Sequence, residues 1–169
     1  MGSAQAEEII LAKGHGNILA THPTTLELTK SNHLSTRGDC IIAVSADKAA
    51  LDLSAEFKEK LCRESAQLVI LIESGRMVEM INAYGNANLT LVDPKEIVVR
   101  KSSYVSGRTL AVRADKAAAD LSRNLVRNLK DPAHEVRITL IVNADTRLAD
   151  EFSAAQRARL ESLLKSSRT

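Results

Sequence analysis

Aromatic side chains are nearly missing from this chain of 169 residues, which has no Trp and only two Phe and two Tyr. Its interior must therefore be built from Ile, Leu, Val and Ala. Proteins that hold splayed bases usually stack them on aromatic rings, and this chain has almost none to offer. A dominant charge is missing too. Lys and Arg number 23 against 21 acidic residues, a net +2, so sequence-independent phosphate binding would need a local basic patch. The two cysteines, Cys40 and Cys62, show neither CxxC spacing nor a disulfide framework, which suits a reducing compartment. No apolar run of about 18 residues occurs and no secretory leader pattern opens the chain, so a cytoplasmic protein without a membrane partner is expected. Met1-Gly2-Ser3 resembles an expression remnant. What is present is an ordinary globular balance, 44% apolar and 26% charged, in a chain long enough for one domain with a real core.

The chain also repeats itself. "VSADKAALDLS" (44–54) and "VRADKAAADLS" (112–122) differ at two positions only. Upstream, "GHGNILATHPTTLELTKSNHLS" (14–35) aligns without gaps with "GNANLTLVDPKEIVVRKSSYVS" (85–106). A shift then brings "GDCIIAV" (38–44) onto "GRTLAV" (107–112), placing Cys40 opposite Thr109. Two copies of about seventy residues are too few for a solenoid. The reading is a tandem duplication within one domain, 7–145, with halves 7–74 and 78–143.

Each half is expected to hold four to five strands and one helix, an α+β fold of two pseudo-symmetric halves closing in a barrel-like way. "EEIILAKG" and "NILATH" read as short strands, "TTLELTK" alternates with strand period, and "CIIAVSA" reads as a strand buried on both faces. Asp47 and Asp115 are placed as helix N-caps, with Ala49, Ala50, Leu53, Phe57 and Leu61 at helical spacing after the first. "LVILI" and "ITLIV" close the halves as buried strands. Residues 146–169 have no counterpart in the first half. They carry Leu148, Phe152, Ala155 and Leu160 at helical spacing, a C-terminal helix through which a homo-oligomer could form.

Comparing the halves separates core from candidate site. Positions apolar in both, such as Leu26/Ile97 and Leu53/Leu121, are core. The polar strand face is different, and equivalent loops from both halves converge at the seam between them. His15, His22, Glu27 and Cys40 are types that bind metal or move protons, and they are the candidate catalytic set. Their spacing of 7, 5 and 13 fits no compact ligand motif, so neither a metal nor a cofactor is assigned. Each has an ordinary alternative: His15 a turn residue, His22 a strand end, Glu27 solvated surface, Cys40 a small core residue. No HExxH, GxxxxGK[ST], GxSxG or third glycine after Gly16 is present.

A second pattern suits an anion. "VRKSSYVSGRT" (99–109) gathers Arg100, Lys101, Ser102 and Arg108, and its first-half partner supplies Thr25, Lys30, Arg37 and Asp39 around a similar hydroxyl-rich loop. Arg and Lys pair with phosphate and hydroxyls donate to its oxygens. The ordinary reading is two solvated polar loops. Three functions stay open: a module binding a phosphate-bearing small molecule or nucleic-acid backbone at the seam, a metal-assisted or acid/base hydrolase using His15, His22 and Glu27, and a structural or interaction protein.

"GHGNILATHPTTLELTK", "RGDCIIAVSADKAALDL" and "RKSSYVSGRTLAVRADKAAADL" resemble an uncharacterised archaeal protein family, a domain of unknown function with GHxNxxATHxTTxExT and GDCI signatures. The resemblance covers about residues 7–143. It implies an archaeal cytoplasmic protein and singles out His15, Asn17, His22, Thr25, Glu27, Gly38, Asp39, Cys40, Arg100, Ser102 and Arg108. It supplies no activity. "RGDCIIAV" bears a fainter likeness to the Gly-Asp turn of cradle-loop barrels, in which duplicated halves interlock.

Overall fold

The structure is a computed structural model that describes residues 4–64, 66–144, 158–159 and 161–162. The order of elements runs twice. The first half holds β1 (Gln5–Lys13), β2 (Thr25–Thr29), β3 (Ile41–Ala43), a 3₁₀ turn (Ala50–Asp52), α1 (Ala55–Leu61) and β4 (Gln67–Ser74). The second half repeats it as β5 (Met77–Tyr84), β6 (Glu96–Arg100), β7 (Thr109–Ala111), a 3₁₀ turn (Ala118–Asp120), α2 (Arg123–Leu129) and β8 (Glu135–Asn143).

These strands make two four-stranded sheets, ordered β1-β8-β4-β5 and β3-β2-β6-β7. The barrel expected from the sequence is not closed by continuous pairing. Instead a single antiparallel bridge joins the sheets at each side, Lys13 to Val44 and Tyr84 to Val112. The first sheet is antiparallel throughout. In the second, β2 and β6 are antiparallel, and each has a short parallel neighbour, β3 or β7. The halves exchange strands, since β1 pairs with β8 and β5 with β4.

Register locates the relation between the halves. In the second sheet Glu27 lies directly opposite Val98, its counterpart in the aligned repeat. In the first sheet Leu71 lies opposite Thr139, again counterparts. A pseudo-two-fold axis therefore pierces both sheets at these two pairs. Backbone strain repeats as well. Ala20 and Leu91 have φ of 51° and 50°, and Ser45 and Arg113 have 53° and 51°, left-handed values that non-glycine residues rarely adopt.

Alternation decides what lies between the sheets. Leu26, Leu28, Ile97 and Val99 of the second sheet meet Ile70, Ile72, Ile138 and Leu140 of the first. Each such side chain fully buried contributes about 1.5–3 kcal/mol. Their neighbours Glu27, Val98 and Arg100 consequently belong to the second sheet's other face. Beyond the first sheet, Val69, Leu71 and Ile141 form a separate buried cluster with Met80 against it.

The near-identical motif is explained by structure. Asp47 and Asp115 are not helix caps. Asp47 Oδ1 accepts from Leu11 N–H and Asp115 Oδ1 from Asn82 N–H, and each Asp N–H returns a bond to the same residue's carbonyl. Both edges of the first sheet are covered in this way, which protects them from edge pairing. The caps are Ser54 and Ser122, whose hydroxyls accept from Phe57 and Asn124 N–H. They start the α-helices only at Ala55 and Arg123, so each is seven residues long, shorter than the helical spacing suggests, and the residues before the cap form a 3₁₀ turn. Lys48 pairs with Glu8 at 2.8 Å and Lys116 with Glu79 at 4.0 Å. Asp52 and Asp120 accept from Ala49 and Ala117 N–H.

One further expectation is corrected. "NILATH" is not a strand but loop, its Thr21 and His22 N–H groups bonded to the Asp39 carbonyl. The expected helix over 146–169 lies outside the described residues except for Ala158, Arg159, Glu161 and Ser162, which are helical. Arg159 makes a fork on Glu7 of β1, at 3.0 and 3.1 Å.

Close approach between the halves requires glycine at two equivalent places. A Cβ on Gly14 would overlap the carbonyl oxygens of Asp131 and Leu129, and one on Gly85 that of Leu61. A Cβ on Gly16 meets nothing within 4 Å. Gly14→Ala and Gly85→Ala are expected to lose about 1–3 kcal/mol or more in urea unfolding, with Gly16→Ala close to the parent. Equal stability of all three variants would refute this packing.

Candidate functional site

The axis on the outer face of β2 and β6 carries the chemistry. Glu27 is central in β2 and only 6% exposed. Its N–H donates to the Cys40 carbonyl, and the equivalent Val98 N–H donates to the Arg108 carbonyl. Cys40 is thus the structural counterpart of Arg108, not of Thr109. The same bonding equates Gly38 with Ser106 and Asp39 with Gly107, so the first half has three extra residues between Leu34 and Gly38 and no shift falls within "GDCIIAV". In agreement, Ile41 is the residue that pairs opposite Glu27, and Thr109 the one opposite Val98.

Glu27 therefore receives two symmetry-related neighbours of different chemistry. The Cys40 thiol donates to Oε2 at 3.1 Å, and Arg108 Nη1 donates to Oε1 at 3.2 Å. Arg108 also holds Glu96 at 2.6 Å. Burial, reinforced by a carboxyl–carboxyl hydrogen bond with Glu96, pushes Glu27 up to about 7. That shared hydrogen bond and Arg108 hold Glu96 below the usual carboxylate range. Glu27 is accordingly the partner that carries the proton. Cys40 is pushed up to about 12, first by burial and then by Glu27. It stays a thiol at neutral pH and serves as a donor, not a nucleophile.

Arg100 completes the group. Its Nε donates to Thr109 Oγ1 at 3.1 Å, its Nη2 reaches Ser106 Oγ at 3.5 Å, and its guanidinium carbon lies 4.9 Å from the Tyr104 ring centroid. Burial and the neighbouring Arg108 charge lower its pKa. No described carboxylate lies within ion-pair distance of Arg100, whereas Arg108 is held by two.

The other candidates are placed elsewhere. Lys30 pairs with Asp52 at 2.6 Å, and Lys101 with Asp120 at 2.7 Å, so both ammonium groups are already engaged. His15 Nδ1 accepts from Asn17 N–H, as Asn86 Oδ1 accepts from Asn88 N–H. His22 Nδ1 accepts from Thr24 and Thr25 N–H, as Asp93 Oδ1 accepts from Lys95 and Glu96 N–H. Both imidazoles fill turn positions that an amide or carboxylate oxygen fills in the second half. Neither is hydrogen-bonded to Glu27 among the described residues. Ser102 Oγ accepts from Tyr104 N–H and Arg37 N–H donates to Ser35 Oγ, both local turn contacts. Asp39 supplies its carbonyl to Thr21 and His22. Among the described residues, no three His, Cys, Asp or Glu side chains gather where they could hold a metal ion. Ser106 belongs to the hydroxyl-rich stretch 99–109 already singled out for an anion, whereas Glu96 and Thr109 were not among the candidates, and only the strand register points to them.

Comparison with known proteins places the chain. The model of the family described as "Domain of unknown function (DUF371)" matches residues 10–143. The chain belongs to the DUF371 family. A relative described as an uncharacterized protein of Methanocaldococcus jannaschii is 46% identical over 125 residues, 74% of this chain and 92% of that protein. The DUF371 match thus spans both halves and the axis site, and ends where β8 ends. No helix among the described residues is long and apolar enough to cross a membrane.

The raised pKa has a thermodynamic consequence. Folded protein holds the Glu27 proton between 4.5, the ordinary value, and about 7, while unfolded protein releases it. The folded state thus binds more protons in this window. The Glu27 contribution is fully present below 4.5 and is lost as pH rises through 7. Glu27→Gln should flatten this part of the stability profile measured by urea unfolding at pH 5 to 8. An unchanged slope would show that Glu27 titrates normally.

Proposed function

We propose that this DUF371 protein binds a phosphate-bearing ligand, a nucleotide or a nucleic-acid backbone segment, at the seam between its duplicated halves. The observation that carries this reading is Arg100. A partly buried guanidinium surrounded by hydroxyls and a ring, with no described carboxylate to neutralise it, is costly alone. An oxyanion offsets that cost by accepting from its planar donors. Ser106 and Thr109 supply hydroxyls beside it, and Arg108 adds positive potential. Lys30 and Lys101 are not ligand contacts in this reading, because Asp52 and Asp120 already neutralise them. Glu27, raised to about 7, is half protonated at pH 7 and opposes the incoming anion less than an ordinary carboxylate would.

A second reading rests on the same carboxyl. A group that exchanges its proton near pH 7 suits general acid–base catalysis, and Glu27 would be the base or acid of a hydrolytic step. His15, His22 and Cys40 have no part in that step.

Calorimetric titration with ADP, inorganic phosphate and a short single-stranded oligonucleotide tests the binding reading. Affinity should fall with salt and drop at least tenfold in Arg100→Ala, with Lys30→Ala near the parent. No binding of any probe at millimolar concentration, or equal binding by Arg100→Ala, would overturn it. Release of phosphate from bound esters, abolished in Glu27→Gln, would establish the second reading.

A further inference from the structure

The two halves differ at one corner where their backbones agree. Beside the Lys13–Val44 bridge, at the end of β1 and the start of β8, lies a cavity of about 550 Å³ walled by Leu11, Lys13, Ser45, Asp47, His134 and Glu135. This volume is within the range of about 300–1,000 Å³ typical of small-molecule sites. The equivalent corner of the second half is the Tyr84–Val112 bridge. There Tyr84 replaces Lys13, Arg113 replaces Ser45 and Gln67 replaces Glu135. Arg113 lies over the Tyr84 ring, its guanidinium carbon 4.5 Å from the centroid. The backbone is the same, with φ of 53° at Ser45 and 51° at Arg113. One half fills the corner with a guanidinium and a phenol ring; the other leaves it open.

We infer that the open corner is a second binding site, and that its ligand is a small zwitterion with a guanidinium or ammonium group at its cationic end. Asp47 and Glu135 offer two carboxylates where the second half has Asp115 and Gln67. Against the second half, the open corner gains one carboxylate, Glu135, and one ammonium, Lys13, on directly opposite strand positions, so it presents both signs of charge to a ligand that carries both. The Lys13 ammonium, in place of the Tyr84 ring, pairs with a carboxylate at the ligand's other end. Leu11, 36% exposed, gives the wall an apolar strip for the connecting methylenes. His134 Nδ1 is engaged with the Asn128 carbonyl and its Nε2 lies 3.7 Å from Asp131, so the ring is a fixed wall. The site shares no residue with the axis group and is independent of it.

L-arginine is the probe, with agmatine, the same molecule without its carboxylate, as comparison. In calorimetry or by NMR shift titration, arginine should bind the parent protein, and agmatine should bind at least fivefold more weakly. Lys13→Met should weaken arginine at least fivefold while leaving agmatine unchanged; Glu135→Gln should weaken both. The double variant Lys13→Tyr, Ser45→Arg copies the filled corner. It should abolish binding and raise Tm, and Arg100→Ala should leave arginine binding as it was. No arginine binding by the parent at millimolar concentration would overturn the proposal. So would equal loss of arginine and agmatine in Lys13→Met, or retained binding in a folded double variant.

Discussion

The exchange of strands between halves is the constraint on which the remaining structure rests. Because β1 pairs with β8 and β5 with β4, neither half completes the first sheet by itself. The second sheet is equally shared, with β2 against β6 at its centre. This arrangement puts counterparts face to face on a pseudo-two-fold axis. Gly14 and Gly85 exist to let each half's backbone close onto the helix end of the other.

An axis through a residue pair makes that pair special. With identical halves, two like side chains would meet at the centre. Here Glu27 faces Val98, and one carboxyl has the place to itself. The two flanking, structurally equivalent positions hold different groups, a thiol at Cys40 and a guanidinium at Arg108. The carboxyl therefore sits buried between a weak donor and a strong cation that is shared with Glu96. Desolvation outweighs the attraction of that shared cation, and the proton stays on Glu27. The halves differ again at the corner of Lys13 and Ser45, open where the equivalent corner is filled by Tyr84 and Arg113.

The repeated order of strands and helix, the core positions, and Glu27, Cys40, Arg100 and Arg108 as residues of interest were legible in the chain's internal repeat. In "ADKAA" the helical spacing after Asp47 and Asp115 pointed to capped helices, whereas these carboxylates bind sheet edges. The place of the alignment shift was not legible either, since identity at Gly38 and Gly107 is a weaker guide than the hydrogen bonds that equate Cys40 with Arg108. The histidines drew attention by chemical type, yet their Nδ1 atoms do what Asn86 and Asp93 do.

Periodicity and repetition along the chain by themselves determined the two-half α+β architecture and its Ile/Leu/Val/Ala core, because apolar alternation is a local property that survives divergence. Which polar groups meet was decided only by the tertiary structure. Glu27 and Arg108 are 81 residues apart in the chain, and strand register brings them within hydrogen-bond distance. The state of the Glu27 proton follows from that enclosure, since burial and neighbouring charge have no expression in a linear sequence.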